Sequence, residues 1–391
     1  MTKQKKIVVD YLVVLLFVLT SGSKLWIASL SPAFAFIFFF IISFTYKCTL
    51  GLRGNNKSLV FVYIVSAIML IGHFYYNREL KENSTFGYVV SLLSTYCLVS
   101  AFDFYKFRKI LLDIVFFITL FGIPIFFLNE NNILPTTLSH FVDADYKHFG
   151  PYMLGWPYEF HRYAGIWHEP GAGQIILNIV LWLHLDKFIN IDFQKGELFK
   201  FIVLIIGVII SFSTGGYLVF MLFVMVLAIN IKLEGNYKLL IYSVVVVCAV
   251  LFAVILFNSE VIQDKIFNKN SGSLNARTAD VSAFYDMFLN RPILGYGLGS
   301  TEFWRTSVKL GNTANSCGVM TFAAALGIIW LISFVLYTYS GIMNMVKTKL
   351  ICFFSLFAFM MLQWNECFIE FPITNMFIFT FGSYQLKWNQ P

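Results

Sequence analysis

The sequence predicts an all-α, polytopic integral membrane protein of about 12 transmembrane helices, with two large loops on one face. Two observations carry this. Hydrophobic residues make up 58% of the 391 residues and charged residues 13%, about half the charged share of an ordinary soluble chain. The apolar residues also fall in a dozen runs, most of them near the roughly 20 residues that a helix needs to cross a bilayer.

A soluble fold of this length needs more polar surface than 13% charge supplies, whereas lipid covers the outside of a helix bundle without it. The 45 phenylalanines suit such a surface. One polytopic domain over residues 1–391 is therefore expected rather than two soluble ones. The net charge of +7 is spread along the chain, so the basic residues read as orientation signals, and nucleic acid is not expected as a partner. Six cysteines show neither CxxC nor metal-ligand spacing, so buried thiols are expected and no metal site. Cys317 and Cys367 both fall near the outer face, where a bridge between them is the alternative to free thiols. Lys3, Lys5 and Lys6 before an apolar run imitate a secretory signal, but Ala33-Phe34-Ala35 lies inside the next run, so an uncleaved first helix is expected.

The spans fall near 7–23, 26–46, 58–75, 86–105, 110–128, 172–186, 199–213, 215–231, 238–257, 316–338, 350–365 and 372–386. The apolar stretch 201–231 is too long for one crossing, and Ser211-Phe212-Ser213-Thr214-Gly215-Gly216 in its middle marks a tight hairpin. With the N-terminus in the cytoplasm, inside segments hold 17 Lys and Arg and outside segments 11. The short loops obey the positive-inside rule, so both termini are expected in the cytoplasm. Two long polar loops, 129–171 and 258–315, then lie outside, and loops of this length are usually functional.

The first loop closes with Arg162-Tyr163-Ala164-Gly165-Ile166-Trp167-His168-Glu169-Pro170-Gly171. Pro170 suits the first turn of a helix, and Glu169 before it suits the positive end of the dipole. One reading is a capping glutamate beside an interfacial Trp-His pair. The other is a site in which Arg162 binds an anion and Glu169 or His168 moves a proton. In the second loop, Arg277 opens a stretch with Ala283, Phe284, Met287 and Phe288 at helical spacing. Arg291-Pro292-Ile293-Leu294-Gly295-Tyr296-Gly297-Leu298-Gly299 follows, with no βαβ unit around its glycines. It reads either as a plain turn or as a nest of N–H groups around Gly295 and Gly297 that accepts phosphate. Arg277 and Arg291 are fit for bidentate phosphate binding or for snorkelling to head groups. Asn315, before the next span, either bonds a sugar hydroxyl or caps the helix. Asp143-Ala144-Asp145 reads as an acidic turn. Asp10, Asp103 and Asp113 sit near cytoplasmic span ends, where pairing with Lys or Arg is the ordinary outcome, and Glu366 and Glu370 flank the last outer turn, where either could line the same site.

Taken in order, an Arg-x-x-Gly-x-x-x-Glu-Pro element, a Ser-rich hairpin, an Arg before an amphipathic helix, a Pro-x-x-Gly-x-Gly-x-Gly segment and an Asn-Ser before a span with Gly327 resemble the O-antigen polymerase (Wzy) family, within the O-antigen ligase/polymerase superfamily. The resemblance covers roughly residues 155–340. It implies a glycosyltransferase of the bacterial inner membrane with a GT-C-like fold. Such an enzyme moves a growing glycan from undecaprenyl pyrophosphate onto a lipid-linked repeat unit at the periplasmic face. It needs no cofactor and leaves room for a chain-length regulator protein as partner, with membrane lipids around it. Matched positions make Arg162 and Arg277 the essential arginines and Glu169 the acid of the Glu-Pro element. Ala314 stands where relatives, ligases especially, often carry His, which shifts the expected base to Glu169 or His168 and leans the reading toward polymerase. Ligase remains the nearest alternative, and a lipid-linked oligosaccharide flippase the alternative of another class.

Overall fold

The computed structural model describes residues 3–23, 32–50, 56–76, 82–131, 133–141, 144–154, 162–231, 272–312, 315–346 and 348–381. The expected span 238–257 lies outside them. The described residues form fourteen α-helices, two short 3-10 turns and one small sheet, and the chain clusters into two compact units.

The first unit comprises residues 1–111, 279–356 and 367–391. It contains α1 (Lys3–Thr20), α2 (Pro32–Leu50), α3 (Leu59–Tyr76) and α4 (Glu82–Ala101), with α12 (Gly318–Met345) packed on α3. α2 packs along α4, with its Ala35, Phe36, Phe39, Ser43 and Tyr46 buried, while Phe34, Phe38, Ile41 and Phe44 are exposed. In water the outward face of a helix is polar. An outward face of phenylalanine and isoleucine is what lipid favours, and it recurs in the second unit. Polar groups of the first unit find partners inside it. Buried Asp10 takes a hydrogen bond from Tyr46 and an ion pair from Lys106, as the span-end reading of that aspartate anticipates.

The second unit comprises residues 112–278 and 357–366. Its helices are α6 (Pro170–Leu183), α7 (Leu185–Asn190), α8 (Glu197–Ile210) and α9 (Thr214–Asn230). α8 exposes Leu198, Ile202, Ile206 and Ile209 at helical spacing and buries Phe201, Leu204 and Val208. The expected hairpin is present. α8 ends at Ile210, Phe212 takes a left-handed φ of 46°, and Ser213 caps α9 by accepting from the Gly216 N–H at 3.5 Å. Lys200 pairs with Asp113, again as expected of a span-end acid.

Two helices, α5 (Phe104–Glu130) and α12, are long and apolar enough to cross a bilayer by length and composition. Six shorter apolar helices accompany them among the described residues. Two features depart from an all-α reading in twelve crossings. Within the first loop, β1 (Thr137–Phe141), β2 (Ala144–Phe149) and β3 (Tyr152–Met153) form an antiparallel sheet in that order. Its backbone groups pair with one another, and the Met153 N–H donates to the Gly165 carbonyl at 2.7 Å, which ties the sheet to the Arg162–Glu169 segment. The segment expected to cross at 372–386 opens instead as a four-residue helix, α14 (Pro372–Asn375), followed by a 3-10 turn and then extended backbone at Phe379 (φ −108°, ψ 153°). The Thr374 hydroxyl donates to the Phe371 carbonyl at 2.7 Å, and the Phe377 carbonyl packs on Gly341 where a Cβ would intrude, so this stretch is held by packing. Cys317 and Cys367 are both free thiols.

Candidate functional site

Within the second unit, the sequence around Pro170 and the hairpin set up one polar cluster. Pro170 starts α6, as its fixed φ favours. Glu169 is the N-cap by backbone position (φ −151°, ψ 160°), and its carbonyl accepts from the Gly173 N–H at 3.1 Å. Its side chain makes no capping bond. The carboxyl turns instead to His168, whose Nε2 lies 3.2 Å from Glu169 Oε1, and to the carboxyl of Glu366. Trp167 is fully buried, which rules out the interfacial Trp-His pair.

Glu366 follows the last residue of α13 (Lys349–Asn365). Its Oε1 accepts from Arg277 Nη2 at 2.9 Å, while Asn365 Oδ1 accepts from Arg277 Nη1 at 3.3 Å. Arg277 lies in the first turns of α10 (Gly272–Asn290). A Cβ on Gly171 would stand 2.0 Å from Glu366 Oε1, and one on Gly215 would stand 2.4 Å from the Asn365 amide carbon. The glycines after Pro170 and in the hairpin thus admit the α13 terminus. Arg162 donates from Nε to the Ser211 carbonyl in the hairpin at 3.4 Å, and its charge acts on both Glu169 and Glu366. Arg162 and Arg277 therefore bear on one carboxyl pair.

That pair splits electrostatically. Partial burial opposes ionisation of Glu169, but the hydrogen bond and charge of His168, the hydrogen bond from Glu366 and the charge of Arg162 outweigh it and hold the group at about 2. Burial pushes Glu366 well above the usual carboxylate range. The charge of Glu169 adds to this, and Arg277 and Arg162 only partly oppose it. Two adjacent carboxyls do not both ionise readily. The result is one carboxylate and one carboxylic acid beside two guanidinium groups and an imidazole, a set able to bind an anion and to accept a proton.

Arg291, Gly295, Gly297 and Asn315 fall in the first unit. Arg291 forms a two-pronged contact with Glu302 of α11 (Thr301–Lys309), with Nη1 2.9 Å from Oε2, and stacks over the Tyr296 ring. The phosphate-nest reading of Gly295 and Gly297 is corrected. The N–H of Gly295 donates to Arg291, that of Tyr296 to Ala324 at 2.9 Å and that of Gly297 to Ala325 at 2.7 Å. These donors are committed because α12 breaks at Gly327 (φ 78°, ψ −173°) and bares those carbonyls. Asn315, left-handed at φ 50°, exchanges hydrogen bonds with Asn312 and is not the cap of α12, which is Cys317. The stretch from Arg277 does form a helix, with Ala283, Phe284 and Met287 buried. Asp143 lies outside the described residues, and no cluster of metal-ligating residues occurs among the described ones.

The sequence offered Glu366, with Glu370, as an acid at the last outer turn that could line the same site, and did not single out Asn365. The available signal was an acid closing an apolar run, which in a membrane chain marks function by default.

Residues 199–335 match a family model, Wzy_C, described as O-antigen ligase. The matched stretch holds the hairpin, Arg277, the glycine segment and the α12 break, and over these residues the chain is similar to the O-antigen ligase family. A comparison with curated proteins gave no match.

Proposed function

We propose that this chain, which carries a segment similar to the O-antigen ligase family, is a membrane glycosyltransferase that polymerises lipid-linked repeat units of a surface polysaccharide. The observation that carries the reading is the convergence of Arg162 and Arg277 on the Glu169–Glu366 pair. The donor is a glycan on a polyprenyl pyrophosphate, and the acceptor is one repeat unit on the same kind of carrier. The diphosphate sits against the guanidinium groups of Arg162 and Arg277, which stabilise the charge that grows on it as the anomeric C–O bond breaks. The electron pair of that bond leaves with the lipid diphosphate. The acceptor hydroxyl oxygen forms the new bond to the anomeric carbon, and its proton passes to Glu169, with His168 alongside to hold or relay it. Sugar and leaving group are both supplied by the carrier, so no nucleotide domain is required. The positive-inside pattern and the two long outer loops support placing the reaction at the periplasmic face of the inner membrane, with both termini cytoplasmic.

A ligase is the second reading, favoured by the description of the matched family model. It shares donor, leaving group and site, and differs only in acceptor. Ala314, where ligases often carry His, supports the polymerase. The test is incubation of purified protein with synthetic pyrophosphoryl-lipid repeat units. A ladder of polymer is expected. A single transfer to a different acceptor would make the protein a ligase, and no transfer to either would overturn the glycosyltransferase reading.

A further inference from the structure

We propose that Glu366 is a protonation gate on Arg277: its carboxylate occupies the guanidinium, and its protonated form leaves the guanidinium to the diphosphate. The inference rests on the reading of the cluster as a diphosphate site.

The geometry is that of an internal stand-in. Glu366 Oε1 sits 2.9 Å from Arg277 Nη2, the distance at which a phosphate oxygen would sit, and Asn365 holds Nη1 at 3.3 Å. The Glu366 side chain is 12% exposed and that of Arg277 31%, so the arginine remains open to a ligand while the carboxyl backs it. Gly171 leaves no room for the carboxyl to retreat toward α6, since a Cβ there would lie 2.0 Å from it. Protonation removes the charge that holds the guanidinium to that carboxyl.

Every charged neighbour described in the cluster pulls on that change. Glu169, from the segment before α6, favours the protonated form of Glu366, whereas Arg277 of α10 and Arg162 beside the hairpin favour the carboxylate. His168 compensates Glu169. An incoming diphosphate adds negative charge next to Glu366 and draws off its arginine partner, and both effects favour protonation. With Glu366 protonated, two guanidinium groups face one carboxylate, so the cluster attracts an anion. With Glu366 ionised, the charges cancel. Diphosphate affinity is therefore highest below the raised pKa of Glu366 in the free site and falls above it, by up to about tenfold per pH unit for one linked proton.

The experiment measures inorganic pyrophosphate binding to the purified full chain in lipid nanodiscs by calorimetry, from mildly acidic to mildly alkaline pH, for wild type and Glu366→Gln. Because pyrophosphate itself titrates, the difference between the two proteins is the readout. Wild-type affinity should fall more steeply with rising pH than that of E366Q, and the two should converge at the acid end. In wild type at the alkaline end of the range, where Glu366 is most ionised, measurements in two buffers of unequal ionisation enthalpy should show more proton uptake than pyrophosphate alone requires, a result that stands even if E366Q does not fold. Equal slopes, or no excess uptake, would overturn the gate while leaving the diphosphate site intact. Absence of pyrophosphate binding by wild type at every pH would overturn the site itself, and the gate with it.

Discussion

Gly295→Ala separates packing from phosphate binding in the glycine segment. Gly295 has a left-handed φ of 59°, and a Cβ there would meet the Ala325 carbonyl carbon at 2.4 Å and the Ala324 and Ala325 oxygens at 2.5 Å. The left-handed conformation costs a residue with a Cβ about 1–2 kcal/mol. An overlap of about 1 Å with backbone, which cannot rotate aside, adds roughly 1–3 kcal/mol. If the segment recoils, the bonds from Tyr296 to Ala324 and from Gly297 to Ala325 weaken as well, at about 1 kcal/mol each. Gly311→Ala is the control. Gly311 is also left-handed, at φ 92°, but nothing lies within 4 Å of its Cβ position, so it carries only the conformational cost. Thermal unfolding in detergent, followed by tryptophan fluorescence, should place G295A clearly below G311A and G311A slightly below wild type. The fraction of G295A that remains folded should bind pyrophosphate as wild type does. A G295A protein as stable as G311A, or one that is stable but has lost pyrophosphate binding, would refute the packing argument and restore the phosphate nest.

Arg162→Ala and Arg277→Ala should each abolish long glycan chains in cells at unchanged protein level, and chains of normal length in both would reject the site. Arg277→Lys should also be poor, because a point charge cannot bond Asn365 and an oxyanion through one planar fork; wild-type turnover would mean that charge alone suffices. Glu169→Gln should remove turnover. Glu169 is held at about 2, so its basic form persists as pH falls until that value is approached. Turnover by E169Q at the wild-type rate would contradict the assignment. Gly171→Ala should displace the Glu366 carboxyl by about 1.4 Å to reach an ordinary contact and break its bond to Arg277. The pH dependence of pyrophosphate affinity should then flatten as in E366Q, with little loss of thermal stability because the displaced group is the end of a flexible side chain.

The sequence by itself determined the environment, most helices and one half of the cluster. Apolar runs, the split at 211–216 and the helix start at Pro170 are local properties, legible from spacing and residue type because helix formation and turn chemistry act over a few residues. Arg162, His168 and Glu169 could be named because they stand within eight residues beside that helix start. Tertiary structure alone decided what Arg277 meets, since its partners Asn365 and Glu366 lie nearly ninety residues on. It also decided that Glu169 turns its carboxyl to another acid, although the backbone position of a cap was plain from Glu-Pro. The glycines of 295–297 show the reason most clearly. A nest and a packed turn share one local pattern, and which of them forms depends on whether another strand of backbone is present to take the N–H groups. The break of α12 at Gly327 supplies that backbone, and a local pattern does not encode it.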